Sequence, residues 1–300
     1  MKLTFLSTLD AVLQRGSFAA AAQEVGLTAS AVSLQIKELE TYFGQPLFDR
    51  SARTAKPTAF AWELSSTIQG ALASMERLRD NRRSTVSGRA ALGTIRSVQT
   101  TTLPAALLEV KTRFPELSVR VVQDDSPVLL HSLKAGNLDA AIVVRPQSGG
   151  SSRLSWRTLA HEPFVLLAPL SSKSDSINEL LLTHDWIRFD TSLTGGRIAA
   201  AFVQRLAPRT RSILDMSSIE SIAAMVSAGL GVSVVPRLRG PLRGAYPVRE
   251  LSLGKNAPTR EIAFVCRLTD RDNRRVLALR ESFEHIYMPA PPRKAGAAER

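Results

Sequence analysis

The spacing of apolar residues changes near residues 84–91, and this change decides how the chain can be divided. Up to Arg83 the apolar residues recur every three to four positions, which is typical of helices that pack on one face. Beyond residue 91, short apolar runs alternate with helical segments. A chain of 300 residues is long enough for two or three domains. We therefore expect a helical N-terminal domain followed by an α/β domain.

Three short helices are predicted before residue 44. Ser17 is placed to cap the second helix, and Gly26 and Thr28 separate it from a third helix over residues 29–43. The apolar residues of the third helix recur every three or four positions and so form one buried stripe. These residues are Val32, Ile36, Leu39 and Phe43. The opposite, exposed face carries Ser30, Ser33, Leu34 and Lys37.

This arrangement is typical of a helix-turn-helix that enters the major groove of DNA. The small side chains of Ser30 and Ser33 let the backbone approach the bases. Gln35 and Lys37 can reach base edges or phosphates. At this point a three-helix bundle with no role in DNA binding remains the alternative.

A longer helix is predicted over residues 59–83, with a narrow apolar seam along it. Such a seam needs a partner, and the same helix of a second subunit is the simplest one. A helix packed within one globular domain is the alternative. We expect residues 84–90 to form a hinge. Residues 288–300 are rich in Pro, Ala and Arg, and we expect them to be disordered.

Eight strand-like runs follow the hinge. They are residues 91–98, 117–123, 139–144, 164–168, 186–190, 212–216, 232–235 and 261–267. Because helical segments lie between most of them, we expect βαβ units with a largely parallel sheet.

No constellation typical of an enzyme or a metal site is found in the sequence. Gly229 and Gly231 lack the third glycine of a dinucleotide-binding loop, and the four histidines have no ligand spacing. The single cysteine, Cys266, excludes an intramolecular disulfide, and its apolar surroundings favour a buried residue over a reactive thiol. We expect no catalytic activity, cofactor, metal or membrane span, and a cytoplasmic protein.

Several segments resemble one family, the LysR-type transcriptional regulators. Residues 16–22 (GSFAAAA), 25–28 (VGLT) and 31–40 (AVSLQIKELE) are similar to its winged helix-turn-helix. Residues 44–50 (GQPLFDR) resemble the segment that enters the wing. A looser resemblance continues to about residue 287.

The resemblance implies a winged helix-turn-helix over residues 1–58, a dimerising linker helix over 59–83 and an effector domain over 91–287. The effector domain of this family has two Rossmann-like α/β subdomains, like a periplasmic binding protein, with a small-molecule cleft between them. Candidate DNA-binding residues are Ser17, Thr28, Ser30, Ser33, Leu34, Gln35, Lys37, Arg50 and Arg53, the two arginines lying on the wing.

The recognition helix departs from the family pattern at two positions. Ala29 stands where glutamine is frequent, which removes an adenine-reading amide. Leu34 stands where arginine or histidine is common, so this position offers only an apolar contact, for example to a thymine methyl group. Ala59 and Ala61 replace the usual residues at the start of the linker helix.

Candidate effector-binding residues are less clearly marked. Thr100, Thr101 and Thr102 precede a helix, where hydroxyls and free N–H groups suit a carboxylate, and the resemblance places effectors at this loop. Helix capping is the alternative for any one of them. Ser192 and Thr194 could face the loop from the second subdomain. Arg145 could supply charge or be an ordinary surface arginine.

The predicted function is sequence-specific binding of double-stranded DNA by a homodimer or homotetramer, controlled by a small-molecule effector for which an anion is one option. A solute-binding protein without transcriptional role is the alternative, and it leaves the first 58 residues unexplained. The net charge of +12 favours a nucleic-acid partner, but most of the excess lies in residues 145–300. That surplus predicts either a solvated basic surface or contacts with an anionic effector or bent DNA.

Overall fold

The computed structural model describes residues 3–49, 56–65, 67, 85–146 and 151–287. The chain forms two compact units that divide close to residue 80. Arg50, Arg53, most of the predicted helix over 59–83 and the tail over 288–300 lie outside the described residues. Among the helices within the described ranges, none is long and apolar enough to span a membrane.

The N-terminal unit contains three helices and a small antiparallel sheet. Helices α1 to α3 are Leu3–Arg15, Phe18–Val25 and Ala29–Phe43. Strands β1 (Phe48–Asp49) and β2 (Lys56–Pro57) pair antiparallel, and residues 59–65 begin a helix, α4. The helix boundaries predicted for α2 and α3 are confirmed.

Local signals set the ends of α2 and α3. The Ser17 hydroxyl accepts a hydrogen bond from the amide of Ala20, and the Thr28 hydroxyl accepts one from Ala31. Gly26 ends α2 with a φ of 68°, a left-handed conformation in which residues with a Cβ are strained. Three residues of the predicted stripe on α3, Val32, Ile36 and Leu39, are fully inaccessible, and Phe43 at the end of the helix is partly buried.

The C-terminal unit is a mixed α/β structure. Its strands β3 to β11 are Gly88–Thr94, Leu117–Gln123, Ala140–Val144, Leu154–Pro169, Trp186–Phe189, Ser212–Met216, Ser233–Pro236, Val248–Ser252 and Thr259–Arg267. Its helices α5 to α12 are Arg96–Gln99, Leu103–Arg113, Ser126–Lys134, Ile177–Thr183, Thr194–Leu206, Ile219–Ser227, Leu242–Ala245 and Arg274–Tyr287.

Two subdomains share the long strands β6 and β11. In subdomain I, β3 pairs parallel with β4 and β5, and β11 joins β5 to β6 in antiparallel fashion. In subdomain II, β6 pairs antiparallel with β9 and β10, while β7 and β8 pair parallel. The expected largely parallel sheet is therefore wrong for β6, β10 and β11, which are antiparallel to their neighbours. Strand β9 is antiparallel to β6, but Val232 directly before it bridges Trp186 of β7 in parallel.

The first half of β6 and the whole of β10 are absent from the predicted strands. Most residues between Leu154 and Pro163 are partly exposed or exposed, and those of β10 are all partly exposed or exposed. An antiparallel strand with one solvent-exposed face carries polar residues on that face. It therefore lacks the continuous apolar run that identifies a buried parallel strand in a sequence.

Candidate functional site

The outer face of α3 is a candidate DNA-binding surface. Ser30, Leu34 and Lys37 are exposed and Ser33 is half-buried, on the side opposite the buried stripe. Leu34 is 59% exposed, although it is a large apolar residue. A helix with this face can lie in a major groove, where Lys37 and the serines can hydrogen-bond and Leu34 cannot.

Three other predicted DNA-binding residues have structural partners within the same unit. Ser17 and Thr28 cap α2 and α3, and Thr28 Oγ1 lies 3.0 Å from Ser30 Oγ. The Thr8 hydroxyl donates to Gln35 Oε1 at 2.7 Å, which ties α3 to α1. The Gln35 carbonyl is therefore engaged in positioning the helix.

The segment that leads into the wing is fixed to α3 by a carboxylate. Glu40 Oε1 accepts hydrogen bonds from the amides of Leu47 at 2.9 Å and Phe48 at 3.2 Å. The rings of Phe18 and Phe48 meet edge to face with centroids 5.0 Å apart. These contacts hold the start of the wing against the helix-turn-helix.

A cavity of about 270 Å³ lies between the two subdomains of the C-terminal unit. Of the predicted effector-binding residues, Thr100 and Thr194 line it. Ser192 and Arg145 are not among its lining residues. Thr101 and Thr102 line a separate cavity of about 510 Å³, together with Arg237, Arg239 and Arg243.

The three consecutive threonines point to different sides because they follow directly on the short helix α5. Thr101 Oγ1 donates to the carbonyl of Ser97 at 2.6 Å. Thr102 Oγ1 donates to Tyr287 Oη at 3.0 Å and makes no cap to α6. Burial raises the pKa of Tyr287 to about 12, so this hydroxyl stays neutral.

Arg145 belongs to a surface cluster rather than to the cavity wall. Its Nη1 lies 3.1 Å from Glu261 Oε1, and its guanidinium stacks over the ring of Trp156. Burial opposes ionisation of Glu261, but hydrogen bonds from Thr158 and Arg145 outweigh it and lower the pKa of this carboxyl.

The cavity holds a buried arginine that sequence reasoning did not find. Arg260 is 6% exposed, and its Nε donates to Glu162 Oε2 at 2.8 Å while its Nη2 donates to Ser97 Oγ at 3.1 Å. Arg260 and Glu162 are register partners on β11 and β6. The second oxygen of Glu162, Oε1, lies 2.9 Å from Arg239 Nε.

The far wall of the cavity includes the first turn of α9. Its N-cap residue, Leu193, provides no side-chain cap, and Thr194 and Gly195 line the cavity. A Cβ at Gly196 would lie 1.8 Å from the carbonyl oxygen of Asp190, so the backbones approach too closely for any side chain. Asp190 Oδ1 accepts a hydrogen bond from the amide of Ser192 at 2.8 Å.

Other lining residues could have been found from strand order. Ser97, Asp125, Asp190 and Ser218 all follow the carboxyl ends of the parallel strands β3, β4, β7 and β8. Ligands of open α/β sheets bind at these ends. Arg260 follows no such rule, because it lies within an antiparallel strand.

Both units match family models. Residues 83–286 match the LysR substrate binding domain, and residues 3–62 match the bacterial regulatory helix-turn-helix protein of the lysR family. The chain belongs to the LysR family of transcriptional regulators. It is thus a DNA-binding regulator with an effector-binding domain, as the resemblance in its sequence implies.

Curated relatives and solved structures agree with this family. The chain is 30% identical over 252 residues to the "Probable hydrogen peroxide-inducible genes activator" of Mycobacterium leprae, covering 79% of this chain and 78% of that one. It is 29% identical over 229 residues to the regulator CbbR of Xanthobacter flavus, covering 73% and 68%. A full-length single-residue variant of OxyR from Pseudomonas aeruginosa has the same fold, with a TM-score of 0.71, 22% identity and coverage of 95% and 98%.

Proposed function

We propose that this LysR-family regulator binds an interrupted palindrome in promoter DNA as a homodimer or homotetramer. Residues 1–58 form the DNA-binding domain, residues 59–83 the dimerising linker helix, residues 84–90 the hinge and residues 91–287 the effector domain. Two-fold pairing of the linker helices presents two copies of α3 to two half-sites. The protein acts in the cytoplasm, where bacterial DNA lies, and its role is regulatory rather than catalytic.

The exposed face of α3 is the proposed reading surface. Ser30 and Ser33 contact base edges, Leu34 packs against an apolar base edge, and Lys37 binds a phosphate. Support comes from the exposure of Ser30, Leu34 and Lys37 on the side opposite the buried residues Val32, Ile36 and Leu39. Ser17 and Thr28 cap α2 and α3 and so orient the first turns of these helices towards DNA, and Gln35 holds α3 in position. Arg50 and Arg53 of the wing bind phosphates.

The cavity between the subdomains is the proposed effector site, and Arg260 is the observation that supports it best. Its bonds to Glu162 and Ser97 use Nε and Nη2, which leaves Nη1 to donate to a ligand oxygen. Ser97 and Thr100 lie on the same wall. An effector that contacts both subdomains favours the closed form and shifts the population of DNA-binding states.

Footprinting of the full-length protein on its own upstream region tests the DNA-binding part of this proposal. We expect a protected interrupted palindrome that Ser33→Asp removes, because the new carboxylate repels phosphates. Ser7→Asp, the same change on the exposed face of α1, should leave the footprint intact. Absence of protection at low salt, or equal loss with both variants, would overturn the assignment of α3.

A further inference from the structure

The walls of the effector cavity carry more negative than positive charge. Two lining residues are cationic, Arg96 and Arg260, and three are acidic, Asp125, Asp190 and Glu220. The sequence indicates an anion-binding cleft, because Thr100–Thr102 precede a helix. The excess of acidic residues on the cavity walls is not typical of such a cleft. A ligand with two carboxylates would place like charges close together in a site shielded from water.

Arg260, the buried cation of the cavity, is already paired with the carboxylate of Glu162. Arg260 Nη2 lies 2.7 Å from Glu162 Oε2, and both side chains are less than 10% exposed. Arg260 can therefore orient one carboxylate through its N–H groups but adds little net positive charge. Arg96 is exposed at the edge of the cavity, where solvent screens it, and Asp125 and Glu220 are exposed in the same way, so half-buried Asp190 is the least screened carboxylate of the cavity.

The N-termini of α7 and α10 do not supply the missing positive potential. Asp125 directly precedes α7, and Glu220 lies in the first turn of α10. A carboxylate at these positions already complements the helix dipole. Asp190 is half-buried before α9, and one of its oxygens binds the amide of Ser192. The wall contributed by subdomain II thus presents Asp190 and Glu220 to a ligand.

From this charge distribution we infer that the effector is a small zwitterion, with one carboxylate and one ammonium group. The inference rests on the proposed function of the cavity. The carboxylate binds Arg260 and Ser97 on the side of subdomain I and the shared strand, and the ammonium group binds Asp190 and Glu220 on subdomain II. The cavity volume of about 270 Å³ lies just below the usual range of about 300–1,000 Å³, so the ligand is small.

A zwitterion also supplies the differential affinity that gating needs. Its two charged ends contact different subdomains, so both contacts form only when the cleft is closed. A monovalent anion would be held by one side and would distinguish the open and closed forms poorly.

Isothermal titration calorimetry on the full-length protein can test the charge preference with probes of one chain length. 5-Aminovalerate and L-norvaline are zwitterions, glutarate carries two carboxylates, and cadaverine carries two ammonium groups. We expect at least one zwitterion to bind about tenfold more tightly than both glutarate and cadaverine, a difference of about 1.4 kcal/mol. Tighter binding of glutarate or cadaverine, or no binding by any probe at about 20 mM, roughly twentyfold above a Kd of 1 mM, would overturn the inference.

Charge-removing variants locate the ammonium contact. Asp190→Asn with Glu220→Gln should weaken binding of the zwitterion about tenfold and shift the preference towards glutarate. Glu116→Gln, an exposed carboxyl that does not line the cavity, is the matched control. An unchanged zwitterion-to-glutarate ratio in the double variant would overturn the placement of the ammonium group.

Footprinting on the same preparations tests the DNA-binding proposal independently of the inferred effector class. A normal footprint without a zwitterion preference rejects the effector class and leaves the DNA-binding proposal standing. Loss of the footprint in wild-type protein rejects the DNA-binding proposal, whatever the calorimetry shows.

Discussion

Glu162 and Arg260 are opposed across the two strands that both subdomains share, with 2.7 Å between Glu162 Oε2 and Arg260 Nη2. Arg239 binds the other oxygen of the same carboxylate from the opposite side. One buried carboxylate therefore links the proposed effector cavity, through Arg260, to the cavity that Arg239 lines. Arg239 and Arg260, which belong to the excess of positive charge in residues 145–300, are thus paired within the structure.

Glu162→Gln should lower the free energy of unfolding by about 3–5 kcal/mol, because it leaves a buried guanidinium without its counter-charge. Urea denaturation of wild type and variant measures this difference. Glu281→Gln is the control, since Glu281 pairs with Arg113 at 2.9 Å where both side chains are more than 40% exposed. We expect at most about 1 kcal/mol there, and equal losses in the two variants would contradict the role assigned to burial.

Leu34→Ala should weaken binding to the specific site about fivefold, or about 1 kcal/mol, if Leu34 packs against a thymine methyl group. Fluorescence anisotropy with an operator fragment measures the affinity. Replacing thymine by uracil at the contacted position should weaken the wild-type complex and leave the Leu34→Ala complex unchanged.

Leu108→Ala on α6 is the matched control for that experiment, because Leu108 is similarly exposed at 66%. It should leave DNA affinity unchanged. If uracil weakens both the wild type and the Leu34→Ala variant equally, the methyl contact belongs to another residue.

Cys266 should be inert to peroxide and to thiol reagents while the protein is folded. Burial, with a smaller contribution from the nearby Asp270 carboxylate, raises the pKa of the thiol to about 11. The reactive thiolate is therefore scarce at neutral pH, and its fraction grows only as the pH approaches 11. Ellman's reagent should label the native protein slowly near neutral pH and rapidly in guanidinium.

Hydrogen peroxide should correspondingly leave the footprint unchanged, although one relative is named "Probable hydrogen peroxide-inducible genes activator". The sequence holds one cysteine, so no intramolecular disulfide can form. Rapid labelling of native protein at neutral pH would show that the thiol is more accessible than its 4% exposure indicates.

Gly196→Ala should destabilise the protein by about 3 kcal/mol or more, because its Cβ would lie 1.8 Å from a backbone carbonyl oxygen that cannot rotate away. Thermal unfolding of the full chain checks this. Gly244→Ala, where a Cβ meets nothing within 4 Å, should have little effect. Similar melting temperatures for Gly196→Ala and wild type would mean that the turn between Asp190 and α9 can shift.

Local signals predict the N-terminal unit well. The hydroxyls of Ser17 and Thr28 and the apolar stripe on α3 act within a few residues, so the sequence alone locates α2 and α3. The cavity is harder to predict because its parts come from distant segments. Arg260 and Glu162 are 98 residues apart and meet only through strand pairing. The threonine triplet follows β3 as the sequence predicts, but the turn of α5 directs only Thr100 to the cavity.

The order of strands around β6 constrains how the chain can fold during synthesis. Strand β6 contributes Leu159 to the core of subdomain I and Phe164 and Val165 to the two cores of subdomain II. Between β5 and β6 lies β11, which is synthesised after every other strand of that sheet. Until residue 267 leaves the ribosome, the edges of β5 and β6 that β11 will cover are unpaired, and their free N–H and C=O groups can pair with other chains. C-terminal truncations that remove β11 should therefore yield insoluble protein rather than a smaller working domain.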